Sequence, residues 1–278
     1  MTHDPVDDAP PAVEFTHVSL AFDEHVVFSD LSLSIPKGAM RILLGVSGSG
    51  KSVILKLVLG LIRPDAGEVR LNGERVDTMS EAELLRLRKG VGMVFQENAL
   101  FDSLTVAENV GFGLTDRDDG TAEEVRARVD EVLGFVGLGE YGERLPSELS
   151  GGQRRRVAIA RAMAPRPNLL LFDDPITGLD PLIATTIDGE IIKLRDLEHV
   201  TSLVVTHQIR DAFYIATHQA VRHDGRVLIA AAAPESPPLA EFMLLRDGRI
   251  QFTGTAGELL ASEDPYVKEY LANTLPPW

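Results

Sequence analysis

The chain has 278 residues, with 27 Lys+Arg against 42 Asp+Glu and a formal net charge of −15. Hydrophobic residues make up 44% and charged residues 25%, which fits a globular chain with an ordinary core and not a disordered one. The acidic balance argues against non-specific nucleic-acid binding, and the lack of cysteine excludes disulfides, zinc fingers, iron–sulfur clusters and thiol catalysis.

Residues 1–11 are acidic and Pro-rich and read as a frayed segment, not a signal peptide. Val13 to Phe22 and Val26 to Ile35 alternate apolar and polar residues, the pattern of half-buried antiparallel strands. Pro36-Lys37-Gly38 is a turn. Met40 to Leu44 is a short apolar run that enters a Gly/Ser loop, and Val53 to Leu61 has helical spacing. Glu68 to Leu71 reads as a strand. Ser80 caps a helix with Leu84, Leu85 and Leu87 on one side, and Val91 to Phe95 reads as a buried strand.

From Asp102 to Ala164 the pattern is helical, with turns at 111–119 and near 137–146, so an all-helical insertion is expected. Leu169 to Phe172 reads as a central parallel strand. Pro181 to Leu197 is helical, Ser202 to Val205 a strand, and Gln208 to Thr217 a helix. Residues 222–240 are Ala/Pro-rich and poorly periodic. Phe242 to Leu245 and Arg249 to Phe252 flank Asp247-Gly248 like a hairpin, and Gly257 to Leu271 reads as a helix. The longest apolar run, Val227 to Ala233, is far short of the roughly 20 residues of a spanning helix.

Gly45-Val-Ser47-Gly48-Ser49-Gly50-Lys51-Ser52 fits the phosphate loop G-x-x-x-x-G-K-[ST], and it lies between a buried strand and a helix, as that loop requires. Its glycines let backbone N–H groups curl around a phosphate, with the positive helix N-terminus behind them. Lys51 would reach the β- and γ-phosphates and Ser52 would ligate Mg²⁺. Leu169-Leu-Leu-Phe-Asp173 puts a carboxylate at the end of a buried strand, at the sheet edge where ligands bind. Beside a phosphate loop it is the expected Mg²⁺ partner. Leu149-Ser150-Gly151-Gly152-Gln153 opens a helix with a capping serine and two glycines that expose N–H groups to an anion. Nothing in the chain requires that anion to lie on its own phosphate loop. Arg154 to Arg156 read as a solvated face.

With these motifs in this order, the chain resembles the nucleotide-binding subunit of ABC transporters over residues 13–221 and 241–262. The resemblance implies an α/β fold: a RecA-like P-loop NTPase core with an antiparallel β subdomain and an all-helical ABC signature subdomain at about 98–164. One ABC ATPase domain would span 12–254, with an atypical insertion at about 222–240 and a C-terminal helical extension and tail at 255–278. It implies an ATPase with ATP and Mg²⁺ as cofactors. Gln96 would touch Mg²⁺ and sense a permease. Ser150, Gly151, Gly152 and Gln153 would contact the γ-phosphate held by a second copy, and Asp180 would communicate across that dimer. His207 would contact the γ-phosphate. Phe22 sits where an aromatic stacks on adenine, with a place in the core as its alternative.

One departure stands out. The family normally has Glu after the Mg²⁺ aspartate, to polarise the attacking water; here it is Asp174. Asp is shorter by one methylene, roughly 1.5 Å, and a displacement of that order can cost about 100-fold in rate. Either Asp174 acts as base in a slower or rearranged site, or the subunit binds ATP and hydrolyses it poorly.

The expected partners are a second copy of the chain and an integral membrane permease on whose cytoplasmic face the subunit would sit, with no nucleic acid. The stretch VGMVFQENALFDSLTVAENVGFGL, with ELLRLRKGVG and DPYVKEYL, is similar to the ATPase of Mla/Mce-type lipid transporters. That similarity implies phospholipid cargo with MCE-domain and other accessory proteins. The ATPase of a small-solute importer and a soluble non-transport ABC ATPase stay open as alternatives. Residues 222–240 are a surface loop, an extra hairpin or a regulatory insertion. Tyr266, Tyr270 and Trp278 either dock on a neighbouring subunit or pack on their own domain.

Overall fold

Apolar alternation gives β1 (Val13–Phe22) and β2 (His25–Ile35), which pair antiparallel from Val13↔Ile35 to Phe22↔His25. The computed structural model describes residues 9–114, 121–223, 225–233 and 235–275. Residues 1–8, part of the turn at 111–119, and Trp278 therefore lie outside the described residues. The elements that follow are β3 (Met40–Leu44), α1 (Lys51–Val58), β4 (Ala66–Leu71), β5 (Glu74–Arg75), α2 (Glu81–Arg88) and β6 (Val91–Val94). Then come α3 (Val106–Gly111), α4 (Ala122–Phe135), α5 (Gly151–Met163), β7 (Leu169–Asp173), α6 (Pro181–Glu198), β8 (Thr201–Val205) and α7 (Ile209–Thr217). The chain ends in β9 (His218–His223), β10 (Arg226–Ala231), β11 (Glu241–Arg246), β12 (Arg249–Gly254), α8 (Ala256–Ala261) and α9 (Pro265–Thr274).

Among the described residues the strands form three sheets. One is antiparallel, in the order β2-β1-β4-β5. The main sheet runs β12-β11-β3-β8-β7-β6, parallel except for the edge strand β12. The third is the β9–β10 hairpin.

The parallel strands are apolar on both faces because both are covered. On β7, Leu170 and Phe172 join a core with α3 to α7, while Leu169 and Leu171 join a second core with α1 and the antiparallel sheet. Among the described residues, five α-helix starts carry the capping box, at Ser80/Glu83, Thr105/Glu108, Thr121/Glu124, Ser150/Gln153 and Thr255/Glu258.

The structure corrects several expectations. The helix after the phosphate loop begins at Lys51, not Val53. Leu85 and Phe95 are exposed rather than buried. The single helix expected at 257–271 is two, because Pro265 lacks an N–H and Asp264 caps a new start by accepting from the Tyr266 and Val267 amides. The 222–240 segment is not wholly irregular: its first part lies in a hairpin that begins at His218.

That hairpin is fastened to α6. Arg195 donates to the carbonyls of Ile215 and His218, and Asp196 accepts from the Ala220 amide. Ile229 lies over Gly189, where an added Cβ would stand 3.5 Å from its side chain.

One buried charge gives a pH signature. Asp188 on α6 is 1% exposed, and burial, then Asp211, pushes its carboxyl up from 3.8 to about 9. At neutral pH it therefore keeps a proton that the unfolded chain releases. Its contribution to stability is full below pH 3.8 and is lost as pH rises toward about 9. Asp188→Asn should raise Tm relative to the parent by an amount that grows between about pH 5 and pH 9. Thermal melts across that range check this; a constant Tm difference contradicts it.

Candidate active site

The phosphate loop joins β3 to α1 at the carboxyl end of the parallel strands, where ligands of open α/β sheets bind. Gly45 has no room for a side chain: a Cβ would meet Ser49 Oγ at 2.8 Å and the Leu245 carbonyl at 3.0 Å. Gly50 caps α1 in the left-handed region at φ 97°, a conformation costly for other residues.

Lys51 is 6% exposed, and its ammonium donates to the carbonyls of Gly45 and Val46, each at 2.9 Å. Burial lowers its pKa, and Asp174 and Asp173 pull it back up. The Ser52 hydroxyl donates to Asp173 Oδ1 at 2.8 Å. Burial raises the Asp173 pKa, against the pull of the Ser52 hydrogen bond.

Asp174 follows β7 with φ 44°, a left-handed conformation that aspartate tolerates better than most residues. Its N–H donates to the Val205 carbonyl at 2.8 Å, which pins the turn to β8. Its Oδ1 accepts from the His207 amide at 3.2 Å and lies 2.9 Å from His207 Nδ1. Backbone strain held this firmly is a frequent mark of functional sites.

A cleft of about 310 Å³ is lined by Ser47, Gly48, Gly50, Lys51, Ser52, Val53, Gln96, Asp174 and His207. Residues from four distant parts of the sequence therefore converge on one space. Asp173 joins them through Ser52. Hard oxygen donors from Ser52 and Asp173, side by side, suit Mg²⁺.

Ser150, Gly151, Gly152 and Gln153 do not line this cleft. Ser150 and Gln153 close a capping box on α5, with the Ser150 N–H donating to Gln153 Oε1 at 2.8 Å. A Cβ on Gly152 would meet Ile183 at 2.3 Å, so glycine lets α5 approach α6. Asp180 caps α6 by accepting from the Leu182 and Ile183 amides. Phe22 is 45% exposed at the end of β1, which removes its place in the core.

Arg154 to Arg156 are not a solvated face. Arg155 is 2% exposed, and its guanidinium donates to the carbonyls of Phe95 and Gln96. Arg154 donates to Leu149 O and Arg156 to Val136 O. Arg161 reaches the carbonyls of Ala99 and Asn98. Buried Asn109 bonds both the N–H and the carbonyl of Phe101. The loop that carries Gln96 is thus clamped to the helix that LSGGQ begins. A consecutive run of arginines gave no sign of this, because a charge run usually faces water.

The ABC transporter family model matches residues 28–177. The sulfate/thiosulfate import ATP-binding protein CysA of Synechococcus elongatus is 42% identical over 220 residues, 79% of this chain and 62% of that protein. The chain thus spans less than two thirds of that relative's length. The intermembrane phospholipid transport system ATP-binding protein MlaF of Escherichia coli is 34% identical over 252 residues, 88% of this chain and 94% of that protein. Among solved structures, the dimeric post-hydrolysis state of the ATP-binding cassette MJ0796 bound to ADP and Pi superposes with a TM-score of 0.72. It is 29% identical, over 87% of this chain and 98% of that one. The chain belongs to the ABC transporter family, and its fold is that of the family's ATPase cassette.

Arg155→Ala would leave two buried carbonyls without their donor and should cost about 3 kcal/mol of stability. Urea unfolding checks this: the midpoint should fall with the slope unchanged. A midpoint equal to the parent's contradicts the clamp.

Proposed function

We propose that this chain binds and hydrolyses ATP as the nucleotide-binding subunit of a membrane ABC transporter. The observation that carries this reading is the meeting of Lys51, Ser52, Gln96, Asp174 and His207 in one cleft, with Asp173 bonded to Ser52. In this reading the backbone N–H groups of Gly45 to Gly50 hold the β-phosphate, and Lys51 leaves the Gly45 and Val46 carbonyls for the β- and γ-phosphate oxygens. Ser52 and Asp173, with Gln96, would hold Mg²⁺, which supplies charge neutralisation on the phosphates. His207 faces the γ-phosphate, and Asp174 takes a proton from the attacking water as the bond from the γ-phosphorus to the ADP oxygen breaks. Phe22, at the turn end of the β1–β2 hairpin, would stack on the base.

The LSGGQ segment supports a paired arrangement. Its capped helix start does not line the cleft of its own chain, so it is free to close on the γ-phosphate of a second copy, with Asp180 beside it. Two copies would then enclose two ATP molecules, and opening and closing would drive a permease. Among the described residues no helix is long and apolar enough to cross a membrane. Attachment to the cytoplasmic face of the membrane would therefore come through that permease.

For the cargo, phospholipid is the favoured reading. MlaF matches over nearly its whole length, and the segment 91–114 that surrounds Gln96 carries the Mla/Mce-like sequence. MCE-domain and other accessory proteins follow from that reading. Import of a small oxyanion is the second reading, favoured by the higher identity to CysA.

A mild-detergent pull-down of the tagged chain from its host, with protein and lipid identification, separates the two. The lipid reading expects a small permease, an MCE-domain protein and phospholipid. A permease with a solute-binding protein would replace it, and recovery of no membrane protein would overturn both. For the chemistry, Asp174→Asn should abolish ATP turnover while Asp174→Glu retains or raises it. If Asp174→Asn turns over ATP as fast as the parent, Asp174 is not the base.

A further inference from the structure

The phosphate loop has two sides. A second cleft of about 520 Å³ also borders the loop, and neither Asp174 nor His207 lines it. Ser47 and Gly48 line both clefts, so a nucleotide whose phosphates fill the first can lead its ribose and base over them into the second. His25 and Val27 of β2 form one wall. Arg246 at the end of β11 and Tyr266 and Glu269 of the C-terminal helix α9 complete the lining.

Three features suit this space to a base. The Arg246 guanidinium lies over the Tyr266 ring, 4.1 Å from its centroid, and forms a planar cationic and aromatic surface. Glu269 adds carboxylate acceptors for hydroxyl or amine donors. Phe22, an exposed aromatic, pairs across the β1–β2 ladder with His25 of the cleft lining.

Helix α9 is also fitted to the loop itself. Tyr270, one turn beyond Tyr266, is 4% exposed. Its hydroxyl faces the Gly45 amide without completing a hydrogen bond to any group. The Tyr266 and Tyr270 rings are 6.4 Å apart, so the two aromatic side chains neighbour each other on α9. Tyr270 belongs to the core of its own domain, and Tyr266 is partly buried against that core.

The structure assigns Tyr266, backed by Arg246, as a second aromatic wall of the nucleoside site, separate from Phe22 on the β1–β2 hairpin. The C-terminal helix thereby becomes part of nucleotide recognition and not only a cover for the core. This rests on the nucleotide reading above.

The test compares ATP with inorganic tripolyphosphate, which has the phosphates and no base, by calorimetric titration of the full chain. Tyr266→Ala should weaken ATP about tenfold, the scale of one lost base–aromatic stack, and leave tripolyphosphate unchanged. Tyr266→Phe should bind both like the parent. ATP affinity unchanged in Tyr266→Ala, with a loss in Phe22→Ala, overturns the assignment. An equal loss for both ligands in Tyr266→Ala also overturns it, because the helix would then act through the phosphate loop. A parent that binds neither ligand overturns the nucleotide reading itself.

Discussion

A buried ammonium is the constraint around which this site is arranged. Lys51 at 6% exposure has given up its water, and two loop carbonyls replace it at 2.9 Å each. Those carbonyls can lie there only because the loop curls tightly, which in turn needs glycine at 45 and 50. Asp173 and Asp174 set a negative field behind the ammonium and favour its charged form. Each of these groups is costly to bury alone. Together they form a site whose charge is nearly balanced and which a polyanion with a divalent cation can complete.

The sheet explains how residues so far apart in the chain meet. β3, β7 and β8 are adjacent and parallel, so the loops after their carboxyl ends fall side by side. The turn after β7 is fixed to β8 through Asp174 N–H and Val205, which puts Asp174 and His207 in contact. Gln96 reaches the cleft from β6, and Arg155 holds the Gln96 loop to α5. A displacement at the Gln96 loop would therefore bear on the LSGGQ helix through buried hydrogen bonds. In the proposed transporter subunit, that is a physical route between a permease-facing loop and the nucleotide.

Much of this was legible in the sequence where local chemistry decides the structure. The alternation in β1 and β2, the apolar runs of β3 and β7, and the phosphate-loop glycines each specify their own conformation. The capping pairs do the same at helix starts such as Ser80 and Ser150. What stayed hidden depends on tertiary partners. Arg155 looks like any surface arginine until its helix packs against the Phe95–Gln96 loop. The β9 and β10 segments lack clean periodicity because the hairpin rests on α6 through Ile229 and a side-chain staple, not through an alternating core face. The break at Ser262–Asp264 was readable from Asp264-Pro265, but a long run of helix-forming residues on both sides masked it. Asp174 was visible as a departure; its left-handed backbone and its bond to His207 were not.

The central claim is that the LSGGQ helix of one copy completes the cleft of another around ATP. The most direct measurement is the mass of the purified chain in solution by light scattering, with Mg²⁺ and a non-hydrolysable ATP analogue and then with ADP. The account predicts a doubling of mass with the analogue, no doubling with ADP, and no doubling for a Ser150→Phe chain that still binds the analogue. A chain that binds the analogue tightly and remains a monomer at every concentration tested would contradict it.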